Sequence, residues 1–138
     1  MDHWSKPRDA DAAANASVAM CRLEPALASA SLARSFVAQV LDDLASDRVF
    51  LAQLLATELV TNAVVHVGSL IELQIDSSAE KVLVSVHDGS TAAPRLPPWQ
   101  GNDTTGGRGL RIVAAMSMDW GWERTSGGKR VWFELRRG

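Results

Sequence analysis

A carboxylate, an amide and an imidazole recur at four-residue intervals in this chain, at Glu58, Asn62 and His66. On a helix turning ~100° per residue, that spacing sets the three within ~80° of one another along roughly 12 Å of axis. Their surroundings are apolar: Leu51, Leu54, Leu55, Leu59 and Val65 share the same broad face, and Ala56, Val60, Ala63, Val64 and Val67 fill much of the other side. A helix apolar on most sides belongs in a protein interior. An unpartnered carboxylate there costs several kcal/mol or takes up a proton, so three polar groups in such a face call for something to bind. Each alone could be satisfied by nearby backbone or by solvent at the helix edge; the three together favour a site for a polar ligand with a metal. Zinc is the weaker choice, because Asn is a poor zinc ligand and only one His is present. Asn and carboxylate oxygens suit Mg²⁺, with phosphates supplying the remaining ligands.

Two further segments could complete such a site. Asp88, in VHDGS, stands where a strand gives way to a long loop. Its ordinary role is turn formation; its chemical role would be to accept a hydrogen bond from an adenine amino group, which a guanine carbonyl could not donate. In TTGGRGLRIVAAM, Gly106, Gly107 and Gly109 directly precede a helix expected from Leu110, so unpaired N–H groups can face phosphate oxygens, with Arg108 adding charge. The run matches neither GxxxxGK[ST] nor GxGxxG. The later GGKR, Gly127 to Arg130, reads as a hairpin turn.

The elements that must hold these residues follow from periodicity. Residues 1–16 show none and read as a frayed tail. A strand is expected over Val18 to Leu23, and a helix over Leu27 to Leu44 from the spacing of Leu27, Ala30, Ala33, Val37, Val40 and Leu41. A second helix is expected from an N-cap at Asp47 to Val67, stopped by Gly68. Alternation predicts a hairpin of Leu70 to Asp76 and Lys81 to His87, and another of Asp119 to Arg124 and Lys129 to Leu135, with a short helix Leu110 to Met116 between them. Arg136 and Arg137 read as solvated charge. Residues 88–109 lack a period, as functional lids do. The order βααββαββ predicts an α+β, two-layer sandwich: a mixed, mostly antiparallel sheet with helices on one face.

With 138 residues and 46% hydrophobic content, the chain suits one domain, residues 17–138, burying about two-thirds of its unfolded surface. A net charge of −2 with scattered Lys and Arg makes nucleic acid a poor default partner. A single cysteine, Cys21, excludes an internal disulfide and suits a reducing cytoplasm. The polar amino terminus predicts no secretory leader, and no run is expected to reach the ~20 apolar residues of a membrane span.

Taken in order, ELVTNAVVH (Glu58 to His66), VHDGS (Val86 to Ser90), GGRGL (Gly106 to Leu110) and GGKRVWFEL (Gly127 to Leu135) resemble the GHKL ATPase superfamily. Within it the chain looks most like the small bacterial anti-sigma-factor serine kinases, from about residue 17 to the carboxyl terminus. The resemblance implies the Bergerat ATP-binding sandwich, ATP and Mg²⁺ as cofactors, Glu58 as general base, Asn62 as Mg²⁺ ligand and His66 near the phosphates. Asp88 would hold adenine, residues 89–108 would form the lid, and Gly106, Gly107, Arg108, Gly109 and Leu110 would meet the phosphates. It also implies a sigma factor and a small antagonist protein as partners, and a homodimer. Where that family's first glycine box usually reads DxGxG, this chain has Asp88 followed by Gly-Ser-Thr-Ala-Ala. Three activities are compatible with the resemblance: serine/threonine kinase, non-catalytic docking module, and free ATP hydrolase.

Overall fold

A computed structural model describes residues 17–66, 69–90 and 107–138, with backbone alone at 66 and 107–109. The expected tail, the end of the second helix at Val67 and Gly68, and most of the expected lid lie outside the described residues. Within them the order is β1 (Ser17–Leu23), α1 (Ser29–Val40), α2 (Ser46–His66), β2 (Ile71–Ser77), β3 (Lys81–Asp88), α3 (Gly107–Met116), β4 (Asp119–Thr125) and β5 (Gly128–Arg136). The strands form one sheet in the order β1-β2-β3-β5-β4. The α+β sandwich is as expected, except that all four described pairings are antiparallel, leaving nothing mixed among the described strands.

Strict alternation gives the sheet an apolar inner face. Ile71, Leu73 and Ile75 of β2, Val82, Val84 and Val86 of β3, and Val131, Phe133 and Leu135 of β5 are all buried in one core with the helices. The opposite face carries charged and polar cross-strand partners: Arg22 with Glu72 at 3.4 Å, His87 Nε2 with Thr125 Oγ1 at 2.8 Å, and Arg130 with Glu123 at 3.0 Å.

The core is closed by α2, which packs on α1, α3 and the three central strands. Its buried stripe is Ala52, Leu55, Ala56, Leu59, Val60 and Ala63, an i, i+3, i+4 pattern that departs from the face read from sequence. Val65, expected on the apolar face with the polar triad, is 53% exposed. Ala45 takes the N-cap place expected for Asp47, since its carbonyl accepts from the N–H groups of Arg48 and Val49. Asp47 lies in the first turn, where its charge meets the positive helix end. By composition α2 does reach the length and apolarity of a membrane span, with mean hydropathy 1.3 over Ser46–Val65, but its stripe is used to close this core.

The first helix is shorter than expected. It stops at Val40, with Leu41 out of helical conformation, just before Asp42 and Asp43, whose charges oppose continuation at a negative helix end. The chain end is also not simply solvated. Arg137 bonds Ser77 Oγ and pairs with Asp43, and Arg48 donates to the Arg136 carbonyl at 2.7 Å, tying the start of α2 to the end of β5.

Candidate functional site

Asn62 lies on α2 beside its buried stripe and is itself 6% exposed; its Oδ1 has no hydrogen-bond partner among the described residues. A buried amide oxygen left unpaired costs about 1–3 kcal/mol, so this atom has a defined need. One turn earlier on the same helix, Glu58 is half-buried. His66 is the last residue of α2, and its side chain lies outside the described residues. The helix therefore carries a carboxylate and an orphaned amide oxygen side by side, while the imidazole of the expected triad is not placed. Asn62 Oδ1 is a hard neutral oxygen of the kind Mg²⁺ takes alongside phosphate ligands. Among the described residues no group of three His, Cys, Asp or Glu stands ready as an all-protein metal cage.

Asp88 ends β3 and lies directly opposite Lys129, near the start of β5. Both side chains follow the inward alternation of their strands, Lys129 with Val131, Phe133 and Leu135, Asp88 with Val86, Val84 and Val82. The carboxylate is 1% exposed and the ammonium 4%, with Nζ 3.0 Å from Oδ2 and 3.1 Å from Oδ1. Oδ1 also accepts from the Ser90 N–H at 2.8 Å, an Asx turn that bends the chain away from the sheet. Sequence reading treated Asp88 as a turn former or an open acceptor; in the fold it is half of a buried ion pair. Lys129 was missed because GGKR reads as a turn, although its even spacing from Val131 and Phe133 already assigns it to the inward face.

Gly128 makes the pair possible. Its φ is +157°, and a Cβ there would stand 1.8 Å from the Asp88 carbonyl oxygen, so only glycine lets β5 begin this close to the end of β3. Ser69 adds a second fastening, its Oγ accepting from the Gly89 N–H at 2.9 Å.

The glycine run opens α3. The helix begins at Gly107, three residues before the expected Leu110, so Gly107, Arg108 and Gly109 form its first turn and Gly106 lies outside the described residues. The N–H groups of residues 107–110 are those a helix leaves without intrahelical partners. The Leu110 side chain is fully buried in the core, so it anchors this turn and only its backbone N–H remains for a ligand. Because α2 packs against both α3 and β3, it is the wall shared by the glycine turn and the Asp88 strand. A cavity of about 400 Å³ lies at the same end of the sheet, lined by Asp88 together with Arg22, Glu72, His87, Ser69 and Gly127 among others; among the described residues none of α2 or α3 lines it.

A one-sided antiparallel sandwich, an amide-bearing helix across its centre and a glycine-opened helix beside it define an α+β nucleotide-binding domain. The chain belongs to the histidine kinase-like ATPase domain family, within the GHKL superfamily, which it matches over residues 23–135. No individual curated protein matches it. Membership makes this an ATP-binding type of domain and agrees with the fold expected from the four motifs.

Proposed function

We propose that the protein is an ATP- and Mg²⁺-dependent serine/threonine kinase of the anti-sigma-factor type, acting in the cytoplasm on a small antagonist protein and holding a sigma factor inactive. The observation that carries the nucleotide part of this reading is the unpartnered Oδ1 of buried Asn62. Asn62 would hold Mg²⁺, which when bound neutralises phosphate charge. Glu58, one turn away, would accept the proton of the antagonist's serine hydroxyl as that oxygen attacks the γ-phosphorus and ADP departs. The N–H groups opening α3 would hold phosphate oxygens, with Gly106, Arg108 and His66 as further expected contacts. Positioning and charge neutralisation would do most of the work. Glu58→Gln should bind Mg-ATP as the parent does and transfer phosphate at least ~10²-fold more slowly. Mass analysis for phosphoserine on candidate antagonists reads this directly, and undiminished transfer would refute the assignment.

A second reading, a docking module that needs no nucleotide, is favoured by one observation: Asp88 already has a protein partner in Lys129. A calorimetric titration with Mg-ATP separates the two, since the kinase requires binding and the docking module shows none. Steady phosphate release without any acceptor protein would instead favour a free ATP hydrolase.

A further inference from the structure

The buried ion pair is not saturated. An ionised carboxylate offers about four acceptor positions, and an ammonium carries three donors. Lys129 Nζ donates to Oδ1 and lies 3.0 Å from Oδ2, so it spends at most two of its three N–H groups on Asp88, and the Ser90 N–H takes a second position on Oδ1. Among the described residues neither side chain has a further partner, which leaves at least one acceptor position on Oδ2 and at least one donor on Nζ. The two atoms are 3.0 Å apart. Both groups are almost fully enclosed, so neither unused valence is met by bulk water, and each carries the penalty of an unmade buried bond.

We propose that Lys129 is a second base-reading residue: with Asp88 it sets a buried donor beside a buried acceptor, the pattern that N1 and the 6-amino group of adenine complete. This rests on the ATP-binding reading above. The 6-amino group donates to Oδ2, and N1 accepts from Nζ. A guanine in the same orientation is opposed twice, its carbonyl facing the carboxylate and its N1–H facing the ammonium. A carboxylate alone reads one position of the base; the pair reads two adjacent ones. The alternative for Lys129 is purely structural: a cation that neutralises Asp88 and fixes the β3–β5 register, indifferent to N1.

The two roles separate on ligands that differ only at N1. The full chain is titrated with ATP and with 1-deaza-ATP, in which a C–H replaces N1, both with Mg²⁺. The wild type is expected to bind the deaza compound roughly tenfold or more weakly, as for a lost hydrogen bond to a charged group. Lys129→Met is expected to bind the two alike. Because that variant strands the Asp88 charge, the neutral double variant Asp88→Asn/Lys129→Met is titrated as well, and it too should not distinguish them. A wild type indifferent to N1, or a folded variant lacking Lys129 that still prefers ATP, overturns the role of Lys129 while leaving ATP binding intact. A wild type that binds neither compound overturns the nucleotide reading and this one with it.

Discussion

At the scale of single residues, the proposed site includes side-chain atoms that the described residues leave incompletely served. Asn62 is the clearest, since burying an amide oxygen with no partner works against stability. Asn62→Leu should therefore raise the unfolding free energy by about 1 kcal/mol, the usual scale of a relieved buried polar atom, while abolishing Mg²⁺-dependent nucleotide binding. Urea denaturation and a Mg-ATP titration on the same preparation check both halves. A loss of stability would mean that Asn62 serves the fold and not a ligand. The charged pair behaves in the opposite sense, because removing one member of a buried ion pair typically destabilises by about 3–5 kcal/mol. On the proposed reading, Asn62 would be replaceable for folding but not for binding, whereas Asp88 and Lys129 would serve both.

Among the elements, the junction between the end of β3 and the start of β5 carries the tightest steric requirement. Gly128→Ala would drive a methyl group into the Asp88 carbonyl, and shifting the strand end to relieve it would pull Lys129 away from its carboxylate. A loss of at least ~2 kcal/mol is expected, combining a disfavoured φ with a weakened buried pair; an unchanged urea midpoint would contradict this. The strands themselves were legible in the sequence, because alternation at Lys81 to His87 and at Lys129 to Leu135 is a local signal. The position of Lys129 opposite Asp88 was not, because that contact spans 41 residues and depends on β5 inserting between β3 and β4. In α2 the spacing of Glu58 and Asn62 drew attention to the helix on which Asn62 is buried with an unpartnered oxygen. Which side was buried depended on packing against α1 and β3, and that is why Val65 is exposed where the helical wheel alone enclosed it. The early start of α3 escaped notice because glycines argue against a helix unless something outside the local sequence supports the first turn; here Leu110 is anchored in the core.

For the whole molecule, one helix layer covers one face of the sheet, and the proposed ligand contacts come from both layers: α2 and α3 on one side, the ends of β3 and β5 on the other. A ligand bridging them binds the folded chain and not the unfolded one. At a hundredfold excess over Kd, Mg-ATP should add about 2.7 kcal/mol and raise the melting temperature by several degrees. Omitting Mg²⁺ should remove most of that rise, and a melting curve indifferent to both would contradict the shared site. The last hairpin also equips the molecule with an optical reporter. The chain has five tryptophans and no tyrosine. Trp122 packs against the core under the Arg124 guanidinium, 5.1 Å from its ring centroid, and Arg124 is paired across the ladder with Lys129. Intrinsic emission should therefore report on the end of β5 that carries Lys129, where the base contact is proposed. Occupancy of the site should shift or quench that fluorescence without any added label, and Trp122→Phe should abolish most of the change.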